Sequence, residues 1–167
     1  KFMIKINKRI PSRAGLGGGS MNAASILNYF VKKKIIKISK KEMLSVSKLI
    51  GSDVVLGLKS TNTILTSNNK IKYFSNCKSI YTLAVKPNFG CSTKDIYAKV
   101  RRFDKSRLNN PNKKMFDIGF LKMRSNSLEP IVFSKYPKLK ALKSYLEVSL
   151  KALFVRMTGS GSVLIAY

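Results

Sequence analysis

The sequence predicts an α+β fold in which antiparallel-rich sheets are backed by helices. Residues 2–7 alternate apolar and polar side chains, as a half-buried strand does, and an apolar helical pattern follows them after a glycine-rich loop. Three short strand-like runs occupy residues 62–66, 70–74 and 80–86, with a good turn at Asn68 and Asn69 between the first two. A strand, a glycine turn and a second strand are then predicted from residue 155 onward.

The length and composition predict a folded protein of modest size. A chain of 167 residues makes one domain, or two small lobes that share a sheet, and 44% hydrophobic residues can build a core. No apolar run approaches the roughly 18 residues that span a bilayer, so we expect no membrane partner. The first residues lack the apolar stretch of a signal peptide. These observations together predict that the protein is located in the cytoplasm.

The charge and the rare residue types narrow the classes of function. A formal charge of +26 is typical of nucleic-acid-binding proteins. However, the lysines are spread along the chain beside abundant Ile and Asn, and A/T-rich codon use is a sufficient explanation, so we expect no nucleic-acid partner. The chain has no histidine, which excludes a histidine-based triad or metal centre. Cys77 and Cys91 are too few for a disulfide framework or a metal site.

The glycine-rich loop is the strongest candidate for a binding site. It joins the predicted strand 2–7 to the predicted helix, and glycines let backbone N–H groups approach a ligand closely. The helix that follows adds unpaired N–H groups and the positive end of its dipole, which together suit a phosphate group. A structural turn remains the alternative. The loop matches neither G-x-x-x-x-G-K-[ST] nor G-x-G-x-x-G. Its candidate binding residues are Pro11, Ser12, Arg13, Ala14, Gly15, Leu16, Gly17, Gly18, Gly19, Ser20 and the adjoining Met21.

Two helices are expected in the first third of the chain. The first covers about residues 20–33, with Ala24, Leu27 and Val31 on one face and three lysines at its C-terminal end. The second begins with a capping box formed by Ser39 and Glu42. Its inward face is predicted to carry Met43, Val46 and Ile50, and Gly51 is predicted at C′. Asp53 follows, and an acidic residue in such a place is usually a cap.

The second half of the chain gives further local predictions. After Pro87 breaks a strand, Ser92 or Thr93 is expected to cap a helix that continues through Ile96, Tyr97 and Val100. Residues 101–114 are basic and rich in Asn, which indicates a mobile surface loop or the best local candidate for a nucleic-acid patch. Phe103 is the one aromatic residue there, so the loop is a poor stacking platform. A core helix is expected over residues 137–150, from the spacing of Leu139, Leu142 and Leu146.

Three motifs in order resemble those of the GHMP kinases. The first runs from Lys8 through the glycine loop to Ala24 and resembles their nucleotide-phosphate loop. The second, residues 51–54, is similar to their G-[AS]-D-V-P segment, with Val55 at the proline position. The third, residues 156–161, is similar to their R-M-S-G-[ST]-G motif, which lies against the phosphate loop. Residues 126–129 resemble their N-D-L-E motif, with Ser127 at the Asp position and no catalytic role assigned to Glu129.

The resemblance implies a reaction and roles for residues. It implies ATP-dependent phosphorylation of an alcohol, with residues 11–21 holding the ATP phosphates, Asp53 as the catalytic base and Mg²⁺ bridging the phosphates. Thr93 matches a hydroxyl residue beside the substrate, although a plain N-cap explains it equally well. Met21 stands where the family usually has a second serine. The doubled glycines are most similar to the branch whose small-molecule substrate is 4-diphosphocytidyl-2-C-methyl-D-erythritol, of the non-mevalonate isoprenoid pathway.

The resemblance also implies an architecture and an incomplete kinase. It implies a core like the second domain of ribosomal protein S5, with an ATP-binding part over residues 1–75 and a C-terminal lobe over 76–167. The family begins with a further segment of roughly eighty residues that carries an assisting lysine, consistent with domain lengths. We therefore expect the product of a split or decayed gene or a shortened chain, and a separate N-terminal fragment is a candidate partner. A catalytically inactive remnant and a basic nucleic-acid-binding protein remain as alternatives.

Overall fold

The computed structural model describes residues 2–102, 105 and 108–167. Phe103, named above, lies outside the described residues. Among those described, the contacts divide the chain into two units. Unit one draws on the ranges Lys1–Leu16, Thr82–Arg101 and Asn126–Tyr167, and unit two on Gly17–Tyr81 and Arg102–Ser125. The division into lobes after residue 75 stays a prediction.

Unit one contains a three-stranded antiparallel sheet and three α-helices. The strand order is β3 (Leu83–Val85), β5 (Leu164–Ala166) and β4 (Val155–Met157), with β5 in the centre. Ile165 is the register partner of Ala84 on one side and of Arg156 on the other. The helices are α3 (Thr93–Tyr97), α5 (Glu129–Lys135) and α6 (Pro137–Ser149).

The core of unit one joins the sheet to these helices. Leu139 and Leu146 of α6 are buried as the spacing predicted, because residues seven apart lie on the same face of a helix. Val132 of α5 and Ile96 of α3 are fully buried in the same cluster. Burying such side chains is the main favourable term in folding. The cluster consists of Cys91, Ile96, Val132, Leu139, Leu146, Val155, Met157, Leu164 and Ala166.

Unit two is built on α1 (Gly18–Lys32), which packs against a 3₁₀ helix (Val54–Leu58). Ala24 and Leu27 are buried on the predicted face of α1. Val54 and Val55 of the 3₁₀ helix are 1% and 0% exposed. The unit also contains a hairpin of β1 (Asn62–Leu65) and β2 (Ile71–Phe74), a second 3₁₀ helix (Lys113–Phe116) and α4 (Ile118–Lys122).

The second helix of unit two, α2 (Lys40–Ile50), begins as predicted and ends differently. Ser39 Oγ accepts a hydrogen bond from the Glu42 backbone N, and Glu42 Oε2 accepts one from the Ser39 backbone N. The prediction that Ile50 faces inward is wrong, because Ile50 is 55% exposed and Ser47 is the buried residue. Gly51 is the C-cap and not the C′ residue, so its predicted position is wrong as well, and its φ of 171° is an extended conformation.

Two further predictions about local structure are corrected. Residues 2–7 form no strand: the ladders of the described chain pair β1 with β2 and join β3 and β4 to β5, and Met3 is 98% exposed. Alternation of side chains sets which face of a strand is apolar, but a strand also needs a neighbour with which to form hydrogen bonds. Helix α3 ends at Tyr97 and does not reach Val100.

The fold class is confirmed: helices and antiparallel sheets make an α+β protein. Within the part of the chain that the structure describes, no helix combines the length and the apolar character needed to cross a membrane.

Candidate functional site

The glycine loop is divided between the two units, since the chain passes from one to the other between Leu16 and Gly17. In unit one, residues 14 and 15 lie against the turn between β4 and β5, as the resemblance implied for the third motif. Ala14 O accepts hydrogen bonds from Val163 N at 3.1 Å and from Thr158 Oγ1 at 3.2 Å. Ala14 is accordingly buried, with 3% of its surface exposed.

Gly15 makes the closest approach of the loop to this turn. A Cβ atom at Gly15 would lie 2.2 Å from Thr158 O and 2.9 Å from Gly161 N, and the residue has φ 73°. Glycine is therefore required here for both conformation and space. The third motif has a structural role in unit one: it holds the first half of the glycine loop.

Backbone hydrogen bonds hold Arg13 in place, while its side chain is exposed. It has φ 52°, and its carbonyl accepts hydrogen bonds from Cys91 N at 3.1 Å and Ser162 N at 3.3 Å. Its neighbours Pro11 and Ser12 are exposed, and Leu16 is 37% exposed. The first half of the predicted binding segment thus consists of an anchored backbone with exposed side chains.

Thr93 is joined to the third motif, and Ser92 is the helix cap. Ser92 Oγ accepts from Asp95 N at 3.4 Å at the start of α3. Thr93 Oγ1 lies 2.7 Å from Ser160 Oγ, and Ser160 is only 5% exposed. The explanation of Thr93 as the N-cap is therefore wrong. Its hydroxyl is hydrogen-bonded instead to Ser160 in the glycine turn between β4 and β5.

Three titratable groups of this region have displaced pKa values. The ion pair with Lys135, at 2.8 Å, lowers the pKa of Asp95 and raises that of Lys135, mainly through the hydrogen bond between them. Burial raises the pKa of the Cys91 thiol. The Asp95 carboxylate is thus engaged structurally, and Cys91 belongs to the hydrophobic core.

Asn126 and Glu129, in the segment that resembles the N-D-L-E motif, also hold the turn, and the sequence had not indicated this contact. Asn126 Nδ2 donates to Met157 O at 2.9 Å and to Gly159 O at 2.7 Å. Glu129 Oε1 accepts from Met157 N at 2.7 Å, while its Oε2 pairs with Lys143 Nζ at 2.9 Å. The resemblance of residues 126–129 to a family motif was the available signal. Both contacts of the Glu129 carboxylate are structural.

In unit two, the start of α1 suits an anion. The N-cap is Gly17, with φ 65° and no side chain to accept from the first-turn N–H groups, and the first turn contains no acidic residue. Apart from the adjoining residues and the backbone of α1 itself, no heavy atom lies within 4 Å of a Cβ placed at Gly17 or at Gly19. Unpaired N–H groups, a helix dipole and open space beside the backbone are what a phosphate group needs.

Asp53 stands directly before the 3₁₀ helix of unit two, and its carboxylate makes no side-chain cap. Ser52 Oγ donates to Asp53 Oδ1 at 3.3 Å, and Asp53 is exposed. The expectation of a capping carboxylate is therefore not met, so the Asp53 side chain remains available for chemistry. Val55, at the position of the family's proline, is buried and leaves a helical backbone there.

Met21 contributes packing at the start of α1. Its Sδ lies 2.9 Å from where a Cβ of Gly57 would be, so the thioether covers the 3₁₀ helix that follows Asp53. Gly57 was not singled out in the sequence, where it is one glycine within an apolar run. Among the described residues, no group of three or more His, Cys, Asp or Glu side chains could hold a metal ion.

Comparison with known proteins identifies the class to which this fold and these motifs belong. The model of the GHMP kinases N terminal domain matches residues 1–64, and that of the GHMP kinases C terminal domain matches residues 100–166. The chain belongs to the GHMP kinase family, which confirms the resemblance seen in the motifs.

Within that family, the chain is similar to 4-diphosphocytidyl-2-C-methyl-D-erythritol kinases. It is 53% identical to that of Pelagibacter ubique over 100% of this chain and 59% of the relative. It is 35% identical to the Petrotoga mobilis protein over 96% of this chain and 65% of that relative. A crystal structure of 4-(cytidine 5'-diphospho)-2C-methyl-D-erythritol kinase superposes with TM-score 0.76 and 25% identity over 95% of this chain and 59% of that one. The chain therefore spans about three fifths of the length of these relatives.

Proposed function

We propose that this chain supplies the ATP-binding and proton-accepting parts of a kinase that phosphorylates 4-diphosphocytidyl-2-C-methyl-D-erythritol. The names of the relatives and the family motifs support the substrate and a place in isoprenoid synthesis. The start of α1 is the observation that carries the proposal, because its glycine N-cap, its lack of first-turn acids and the open space beside Gly19 all favour a bound phosphate. We expect the enzyme in the cytoplasm.

The residues of the glycine loop would bind and orient the phosphates of ATP. First-turn N–H groups of α1 and the Ser20 hydroxyl would donate hydrogen bonds to phosphate oxygens, and the helix dipole would favour their negative charge. Residues 11–16 would complete the segment from their anchored backbone. ATP supplies the phosphoryl group. Mg²⁺ would be held chiefly by phosphate oxygens and water, as this small cation usually is.

Asp53 would accept the proton of the substrate hydroxyl that attacks the phosphoryl group. A carboxylate can do so when it lies within hydrogen-bond reach of the hydroxyl, and the Asp53 carboxylate is exposed at the start of its helix. Thr93 would contact the substrate, with the Ser160 hydrogen bond fixing its hydroxyl. The remaining catalysis is positioning and charge neutralisation.

The first test is Mg·ATP binding by calorimetry, comparing wild type with Gly19→Ala. An added methyl would meet nothing in the protein but would occupy the space proposed for phosphate. We expect affinity to fall about ten- to hundredfold, equivalent to one lost charge-assisted hydrogen bond, without loss of thermal stability. Gly119→Ala is the matched control, since Gly119 also lies in a helix with open space beside it. Absence of Mg·ATP binding by the wild-type chain would overturn the proposal.

The second test is phosphoryl transfer to the substrate by Asp53→Asn. We expect turnover to be lost and Mg·ATP affinity to be retained, because the base is removed and the phosphate contacts are not. Asp117→Asn is the control, since Asp117 also precedes a helix without capping it. Binding without turnover in the wild-type chain would indicate the inactive alternative or a missing partner. Adding a fragment with the family's opening segment distinguishes these two.

A further inference from the structure

A close contact joins the 3₁₀ helix after Asp53 to the first turns of α1. A Cβ atom at Gly57 would lie 2.8 Å from Ala24 Cβ, 2.9 Å from Met21 Sδ and 3.0 Å from Met21 Cε. Gly57 is not among the glycines with positive φ, so the backbone conformation there would accept other residues. The close approach of the two helices is therefore what requires glycine at this position.

Asp53 is rigidly attached to the helix that makes this contact. Its carbonyl accepts from Leu56 N at 3.1 Å, which begins the 3₁₀ helix. Val54 and Val55 are buried directly after it. At the other end of the helix, Asn28 Nδ2 of α1 donates to Leu58 O at 3.3 Å. The distance between this 3₁₀ helix and α1 consequently sets the position of the Asp53 backbone.

The α1 side of the contact lies in its first two turns. Met21 N donates to Gly17 O at 3.0 Å, the hydrogen bond that closes the first turn. The Met21 thioether is flexible and polarizable, so it can adapt to a small intrusion. Ala24 Cβ is bonded directly to the helix backbone and cannot move independently. Ala24 is therefore the rigid limit to how closely the two helices approach.

We propose that Gly57 is a positioning residue: its missing side chain sets the distance between Asp53 and the N-terminal turn of α1, within unit two. The inference rests on the proposed function, since it assigns a purpose to that distance. It also changes the role of Met21, which acts by covering Gly57 and not as a substitute phosphate contact. A methyl group at position 57 would lift the helix from Ala24 and displace the base.

The test compares Gly57→Ala, Ala24→Gly and the double variant by amide NMR and by turnover. We expect Gly57→Ala to move the amide resonances of Asp53 and Gly19, and to lower kcat about 10- to 100-fold with little change in Mg·ATP affinity. Adding Ala24→Gly removes the blocking atom and should return the Asp53 resonance and kcat most of the way to wild type. Adding Met21→Ala in its place should restore less, because the flexible thioether is not the main obstacle.

Gly119→Ala is again the control for a methyl group added in a helix with open space. A Gly57→Ala variant that loses thermal stability but keeps the wild-type Asp53 resonance and kcat would overturn the inference. If that variant does not fold, Ala24→Gly and Met21→Ala alone loosen the same contact, and an unmoved Asp53 resonance in both would overturn it. If wild type lacks turnover even with a fragment that carries the family's opening segment, the proposed function fails while the resonances still decide the role of Gly57.

Discussion

Asn126 Nδ2 donates a hydrogen bond to the carbonyl oxygen of Gly159 at 2.7 Å, and the same nitrogen also donates to Met157 O at 2.9 Å. Asn126 Oδ1 meanwhile accepts from Leu128 N at 2.9 Å. One amide group therefore ties the end of β4 and the glycine turn to the segment that precedes α5. Because the same turn contacts Ala14 and Gly15, Asn126 supports the first half of the glycine loop indirectly.

Replacing Asn126 by Asp should destabilise the chain by about 1–3 kcal/mol, because the carboxylate has no N–H to offer the two carbonyls. The measurement is the free energy of unfolding from urea titrations at neutral pH. Asn112→Asp is the control, since there the side-chain oxygen accepts from Lys114 N and a carboxylate can do the same. That variant should stay within about 0.5 kcal/mol of wild type. Equal losses in the two variants would contradict the role of the Asn126 nitrogen.

Replacing Glu129 by Ala should cost about 2–4 kcal/mol, since it leaves the buried Met157 N–H without an acceptor and leaves Lys143 with only the more distant Glu147 carboxylate. Glu129→Gln should cost less, about 1–2 kcal/mol, because its amide oxygen still accepts from Met157 N. Glu147→Ala is the control: its carboxylate is 44% exposed and 3.8 Å from Lys143, and its loss should change stability by less than about 0.5 kcal/mol. Urea titrations of all three variants provide the comparison. A Glu129→Ala chain as stable as Glu147→Ala would contradict the assignment.

The sequence predicts helix starts and turns well because their signals are local. The capping box at Ser39 and the turn between β1 and β2 each depend on a few neighbouring residues, and both form as expected. The failures concern partners distant in sequence. Residues 2–7 have the pattern of a strand without a ladder in the described chain, and Ile50 ends its helix outside the core.

The candidate site shows the same limit. Motif order located the glycine loop, Asp53 and the third motif, but spacing along the chain cannot show contacts between residues far apart in sequence. The Thr93–Ser160 and Asn126–Gly159 hydrogen bonds are of this kind. The close contact of Gly57 with Ala24 and Met21 is another example, because it depends on how α1 packs against the 3₁₀ helix. Single residues such as these acquire a role only when the fold brings their partners to them.

Replacing Glu42 by Gln should destabilise α2 at neutral pH and have no effect in acid. The hydrogen bond from the Ser39 backbone N is the main cause that lowers the pKa of Glu42, so the folded state favours the carboxylate. A group whose pKa is lower when folded adds stability above its unfolded-state pKa and loses it as pH falls through the folded-state pKa. Thermal melts of wild type and variant across this range should therefore converge at low pH. A gap that persists in strong acid would contradict this account.

Replacing Gly15 by Ala should be far more damaging than replacing Gly17 by Ala, although both residues have positive φ. At Gly17 the methyl group meets nothing within 4 Å, so the cost is conformational, about 1–2 kcal/mol. At Gly15 the same conformational cost is joined by a methyl group 2.2 Å from Thr158 O and 3.0 Å from Gly161 O. These are backbone atoms that Ala14 and Asn126 help to hold, so they cannot yield cheaply. We expect a loss of more than about 4 kcal/mol in urea titrations. Similar losses at the two positions would mean that the β4–β5 turn moves freely away from residue 15.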